Sequence, residues 1–258
     1  MEQHNRIKNI ACFLTDYSTA LLACGASSVR IEKNVARIAE TYDVKAELSI
    51  LTNHIILTVW DNKSDHSYSN VGKTKNSTIS FYINTELSRL SWRIHDNYLE
   101  LEKACKEYDR IINHPKINRW LVLLLVGFAN ASFCRLFGGD ALAMLIVFIA
   151  TCVGYCLKIK LLEWKWDARI VTIASAYCST IIGCICYVYE LGHTPELAVG
   201  TSVLYLVPGI PFINSITDLI YGHNVCFVSR LIHASVITVC LSLGLCLGLV
   251  SMNFNLMQ

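Results

Sequence analysis

A run of twelve residues inside the apolar second half of the chain restricts its fold more than any other stretch: Val207-Pro208-Gly209-Ile210-Pro211-Phe212-Ile213-Asn214-Ser215-Ile216-Thr217-Asp218, with Gly222-His223 close behind. It carries prolines, a glycine, an amide and a carboxylate, which hydrocarbon excludes unless they face protein or water. A helix crossing a bilayer here must break. Pro208 has no amide proton and frees the carbonyl about four residues before it. Gly209 admits dihedrals closed to other residues, and Pro211 suits the first turn of a new helix. A second half-helix is therefore predicted from about Ile210, its unpaired amides and positive dipole end pointing into the membrane interior, where they suit a substrate carboxylate.

Asn214 and Asp218 are four residues apart and share one face of that half-helix, with Pro211 a turn earlier, so they line one path. A charged Asp in a membrane segment costs several kcal/mol unless hydrated or paired, which gives Asp218 a role in substrate or proton coupling and makes His223 a second gating candidate. The competing reading treats the break as a structural kink and places Asp218 and His223 at an interface, as caps or anchors.

Composition agrees with a membrane chain. Of 258 residues, 53% are hydrophobic and 16% charged, where a soluble domain carries about 25% charged. Most charges precede residue 120 and the long apolar runs follow it, giving a polar region at 1–114 and a membrane region at 115–258. A net charge of +2 supplies no basic stripe for phosphates, which sets nucleic acid aside. Residues 1–8 lack the apolar core and small-residue cleavage site of a leader. Nine of the twelve cysteines lie at or after Cys134 among apolar residues, without a CxxC or a metal-ligand spacing, and read as small residues easing helix contacts.

Along the polar region, Ile7, Ile10, Ala11, Leu14, Ser18, Leu21 and Leu22 step by three and four and predict a helix over 5–24. Gly25 turns the chain, and Ser27 or Ser28 caps a second helix to about Tyr42 with Val29, Val35, Ile38 and Ala39 inward. Residues 44–50 alternate as an outer strand, 55–60 form a central strand, 61–75 are a polar turn region, and 78–83 alternate as a third strand. One helix of about 40 Å follows from Asn84 or Thr85 to Ile112, ended by Pro115. The fold class is thus an α+β domain followed by an α-helical bundle of five transmembrane segments: 120–137, 141–159, 170–189, 197–221 broken at Pro208, and 231–252.

Lys103, Lys106, Arg110, Lys116 and Arg119 precede the first segment, Lys158, Lys160, Lys165 and Arg169 separate the second from the third, and Arg230 follows the fourth. Only Arg135 lies opposite. By the positive-inside rule the N-terminal domain is cytoplasmic and the C-terminus outside, with Trp120, Trp164 and Trp166 as interfacial anchors. A second polar cluster, Asn130, Ser132, Arg135, Gly138, Gly139 and Asp140, lies around the first hairpin. Arg135 and Asp140 are expected to pair across the Gly138-Gly139 turn or to cap the interface, as further gating candidates, while Asn130, deeper in its segment, is a pathway candidate.

The polar domain offers no chemistry of its own. His54, His66 and His95 have no metal-ligand spacing, no Ser, His and Asp set stands out, and Gly72-Lys73-Thr74 lacks the upstream glycine of a phosphate loop. Neither cofactor nor metal is expected, and an enzyme is the least favoured class.

Cys24-Gly25-Ala26, Arg119-Trp120-Leu121-Val122, Val126-Gly127-Phe128, Phe133-Cys134-Arg135 and above all Leu206-Val207-Pro208-Gly209-Ile210-Pro211-Phe212-Ile213-Asn214, with Asp218 and Gly222-His223, resemble the threonine/serine exporter family, and within it the short half-transporters. The resemblance implies a bacterial inner-membrane exporter of small hydroxy amino acids or, in the two-subunit branch, of the dicarboxylate succinate. Full-length members carry a second membrane half. With five segments, this chain is similar to the subunit that works with a separately encoded small membrane partner, and homo-oligomerisation stays open. The alternative class is a membrane-anchored ligand-binding or sensory protein without transport activity. The broken fourth segment speaks against it, since an anchor needs neither prolines nor a carboxylate there.

Overall fold

In the computed structural model the described residues are 2–51, 53–62, 66–74, 79–115, 117–189 and 192–252, with side chains described from Asn5 onward. They form α1 (Glu2–Ala23), α2 (Ser28–Thr41), β1 (Val44–Ile50), β2 (His54–Asp61), β3 (Ser67–Lys73), α3 (Phe81–Asn97), α4 (Leu101–Ile112), α5 (Arg119–Leu136), α6 (Ala141–Glu163), α7 (Ala168–Val188), α8 (Pro195–Thr201), a 3-10 turn at Leu204–Leu206, α9 (Gly209–Ile220) and α10 (Asn224–Ser251). Two compact units result. One joins Met1–Pro115 to Gly209–Ile232, the other Lys116–Pro208 to His233–Gln258.

In the first unit an antiparallel sheet of order β1-β2-β3 pairs Val44 with Asp61, Ile50 with Ile55, His54 with Lys73 and Trp60 with Ser67. Ile55, Leu57 and Val59 of the central strand point to one face, where Ile7, Ile10, Leu14, Tyr17 and Leu21 of α1 bury them with inward residues of α2 and α3. Period two on the strand and three-to-four on the helix make this core. Tyr17 is enclosed too, and its hydroxyl donates to the Leu87 carbonyl at 2.7 Å. Burial therefore raises the phenol well above its ordinary value.

Three expectations need correction here. The third strand is Ser67–Lys73, inside the stretch read as a turn, whereas Ile79 and Ser80 are irregular and α3 begins at Phe81; Thr78 and Lys75 lie outside the described residues. Only Tyr68 and Val71 in β3 are large and apolar, so its ladder comes from its neighbour, not from its own pattern. The long helix is two, α3 and α4, because Tyr98 adopts left-handed dihedrals (φ 47°, ψ 48°) and ends the first. No glycine or proline marks this turn, and Leu101 resumes the apolar stepping directly after it. Arg93 closes the hairpin on Glu107 at 2.8 Å. On α2, Ile31 is buried and Val29 is not.

Gly72, in β3, has a packing reason. A Cβ there would meet the methyl groups of Thr15 and Thr19 on α1 at 2.5 Å, so the strand lies flush on the helix only because the side chain is absent.

In the second unit α5, α6 and α7 are long and apolar enough to cross a membrane, as is α10; Pro195–Leu206 with Gly209–Ile220 makes a fifth candidate span, interrupted at Val207 and Pro208. Lys116, one of the charges ahead of the first span, lies outside the described residues. The α5–α6 turn closes with Gly138 at φ +93° and Gly139 donating to the Cys134 carbonyl at 2.9 Å. Helix α7 buries small residues, among them Ser175, Ala176, Ser179, Thr180 and Gly183. Opposite it, Gly244 and Gly248 of α10 form a close seam: a Cβ at Gly244 would meet the Ile173 carbonyl oxygen at 2.5 Å, and one at Gly248 the Thr180 Cβ at 2.7 Å. Small residues four apart let helix backbones approach where apolar burial gives no drive.

Candidate functional site

The broken segment places its polar face on the turn between α1 and α2. On α9, Asn214 donates from Nδ2 to the Gly25 carbonyl at 2.9 Å. One turn later Asp218, fully buried, accepts from the Ser28 amide at 3.2 Å through Oδ1. Its other oxygen lies 3.0 Å from a terminal guanidinium nitrogen of Arg230, an ion pair outside hydrogen-bond geometry. Arg230 in turn donates to the Ala26 carbonyl at 3.1 Å. Three side chains thus clasp the Cys24-to-Ser28 turn, two by its carbonyls and one by its last amide.

The sequence permits this because Asn214 and Asp218 share a face and Gly25, at φ +86°, turns its carbonyl outward. It also corrects the capping expectation. Ser27 occupies the cap position of α2 without a side-chain bond, and the carboxylate of Asp218 supplies the acceptor instead, at the positive end of the helix dipole. A charge so enclosed is tolerable only because it is paired and hydrogen-bonded.

His223 lies beside this cluster. Its backbone amide returns to the Asp218 carbonyl at 2.8 Å, across Gly222 at φ +82°, and its ring nitrogen Nε2 lies 3.4 Å from Glu32 on α2. Asn214, Asp218 and His223 are therefore brought together. Arg230 is the member that sequence reasoning used only as a topological charge. Its signal was available: an arginine twelve residues after an Asp in apolar sequence is a natural partner for it. Pro208 lies in the irregular link after the 3-10 turn and Gly209 opens α9, one residue before the expected start, with open space where a Cβ would stand; Ile210 and Pro211 fill the first turn.

In the second unit Asn130 is buried and donates from Nδ2 to Thr151 Oγ1 at 2.6 Å and to the Thr201 carbonyl at 3.0 Å, joining α5, α6 and α8. A second polar joint lies nearby in sequence: Ser179 Oγ is 2.9 Å from the Tyr205 hydroxyl and donates to the Ala150 carbonyl at 3.2 Å. Gly154 makes room for both, since a Cβ would collide with either oxygen. Arg135 and Asp140 do not pair. Arg135 donates to the Gly139 carbonyl at 3.2 Å, and Asp140 caps α6 by accepting from Ala143 at 2.8 Å and from His193 at 2.8 Å. Those amide donors hold the Asp140 carboxyl below its usual range. Turn geometry wins here because the Ala143 amide is fixed by the first turn of α6 and the guanidinium is not.

Among the described residues, no group of three or more His, Cys, Asp or Glu side chains converges to hold a metal ion.

Comparison with known proteins places the chain among transporters. The chain is 28% identical over 233 residues, 89% of each chain, to the "Probable succinate transporter subunit YjjP" of Escherichia coli (strain K12). It is 28% identical over 234 residues, 89% of this chain and 87% of the relative, to the protein of that name in Klebsiella aerogenes. An "Uncharacterized protein" of Haemophilus influenzae matches at 27% over 121 residues, 46% of this chain and 40% of its own. No solved structure matches. The family described as "Putative threonine/serine exporter" matches residues 13–252, and the chain therefore belongs to the threonine/serine exporter family.

Proposed function

We propose that this chain is one subunit of a bacterial inner-membrane secondary exporter of small carboxylates, succinate-like dicarboxylates before threonine or serine, completed by a separately encoded small membrane subunit. The relatives named as succinate transporter subunits support the solute class and the need for a partner. The observation that carries the reading is the enclosed Asp218–Arg230 pair at the end of the interrupted span. An anchor has no use for it, and its desolvation is costly unless the charges do something.

On this reading the break at Pro208 and Gly209 exposes the first amides of α9 to a solute carboxylate, with Ile210, Pro211 and Asn214 lining the approach; Asn130 is a separate pathway candidate within the second unit. Asp218 gates. A solute carboxylate competing for Arg230 leaves the enclosed Asp218 without its cation, which unsettles the clasp on the α1–α2 turn and couples the solute to it. The N-terminal unit is cytoplasmic and the C-terminus outside, following the lysine and arginine bias.

Proteoliposomes loaded with labelled succinate, threonine or serine test this. With both subunits and an imposed proton gradient, succinate leaves faster than either amino acid, Asp218→Asn slows the efflux at least tenfold, and the chain alone releases none. If no solute moves with both subunits present, or Asp218→Asn leaves the flux unchanged, the reading fails.

A further inference from the structure

The N-terminal unit holds a charged groove that none of this uses. Helices α2 and α3 are joined by three polar rungs: Arg30 to Asn84 Oδ1 at 3.1 Å, Asn34 to Ser88 Oγ at 3.1 Å, and Arg37 to Ser91 Oγ at 2.7 Å. Each joins residues 54 apart. A constant offset means that the two helices run parallel and in step, so both present the same edge along their length. That edge lines a groove of about 650 Å³ with Arg30, Lys33, Arg37 and Arg89 on its walls and no carboxylate among its lining residues.

Such an accumulation is costly without an anion, because like charges along one helix face repel. Only Arg89 has a carboxylate, Glu86, at 2.5 Å; among the described residues Arg30, Lys33 and Arg37 have none within ion-pair distance. The groove is also built and not merely charged. Arg37 lies with its guanidinium carbon 3.6 Å from the centroid of Trp92, and buried Asn34 accepts from Arg37 at 3.1 Å while donating to Ser88. These contacts fix one arginine of the lining in place.

We infer that this groove binds a small organic dianion whose two carboxylates stand apart along a flexible chain. The charge decides the class, and the space admits it. The space lies within the range of about 300–1,000 Å³ that holds small ligands. Arg30 and Arg37 are two turns apart, about 10 Å along the axis, so the cations are spread along the groove and not focused on one point as a compact phosphate requires. The inference concerns binding in the N-terminal unit and stands whether or not the chain transports.

Isothermal titration of the purified full chain in detergent at low salt tests it, with succinate and adipate as probes and acetate, inorganic phosphate and nanodiscs of anionic lipid as the other arms. The dicarboxylates bind, acetate and phosphate bind at least tenfold more weakly, and Arg30→Gln and Lys33→Gln each weaken the dicarboxylates about tenfold. Both positions are exposed; Lys33 forms no rung, so the thermal midpoint of Lys33→Gln without ligand matches the parent, whereas Arg30→Gln also removes the Asn84 rung and its midpoint is measured beside its affinity. Unchanged affinity in both variants, phosphate binding as tightly as dicarboxylate, or binding seen only with anionic lipid would each overturn it. Because no gradient or partner enters, a failure of efflux and a failure of binding are read apart.

Discussion

Asp218 holds two elements at once, capping α2 through Ser28 and neutralising Arg230. Removing one member of a buried pair leaves the other charge unsatisfied, so Asp218→Ala is expected to cost about 3–5 kcal/mol in a denaturant titration. The double variant Asp218→Leu, Arg230→Met removes both charges and is expected to recover most of that loss, since apolar replacements of a buried pair are often neutral. If the double variant is as unstable as the single one, the pair is not what holds the turn. A refolded double variant that still exports nothing assigns the pair to coupling. Asp140 is a contrasting carboxylate, at a turn and held by amides. Its folded value is depressed from the ordinary 3.8, so its contribution is present above that value and lost as pH falls through the depressed one. Thermal midpoints of the parent and Asp140→Asn should therefore differ by a constant amount between about pH 5 and 8 and converge below about pH 4. Convergence near neutral pH would contradict the amide-held carboxylate.

Among the elements, those that carry their own periodicity were legible and those that borrow stability were not. The helices α1, α2 and the long apolar spans announce themselves in stepping and composition, and the break at Pro208 in its prolines. Strand β3 does not, because its ladder depends on β2 and its close approach to α1 depends on Gly72. The turn at Tyr98 does not, because a left-handed tyrosine without glycine or proline leaves no mark. At the site, Asn214 and Asp218 were visible as polar residues in apolar sequence. Their partners on the α1–α2 turn lie about 190 residues away and are backbone groups, which no side-chain pattern reveals. The glycine seam of α10 is legible as Gly-x-x-x-Gly at 244–248. It carries its own prediction. Gly244→Leu puts a branched side chain against the Ile173 carbonyl, and overpacking of this kind costs about 1–3 kcal/mol. The thermal midpoint in detergent should fall accordingly, whereas Gly200→Ala, with open space at its Cβ, should leave it in place.

For the whole molecule the consequence is a division of the chain that does not follow its sequence order. The N-terminal 115 residues make one compact unit with α9 and the start of α10, while the spans before and after those elements make the other. A segment that belongs to the apolar half by composition is thus clasped to the polar half by Asn214, Asp218 and Arg230. That clasp holds α9 and the start of α10 to the N-terminal elements within one unit, and the side of the membrane on which these elements lie is open to direct measurement. Four of the twelve cysteines are intermediate or exposed within the spans, so the test begins from a chain with every cysteine replaced by serine or alanine. Into it go Lys103→Cys on α4 and Leu136→Cys at the C-terminal end of α5, both at exposed positions. With intact cells and a membrane-impermeant maleimide, Leu136→Cys is labelled and Lys103→Cys is not; after permeabilisation both are labelled. The reverse pattern would place the N-terminal unit outside. It would also remove the cytoplasmic solute from reach of the clasp, so the exporter reading and the topology would fall together.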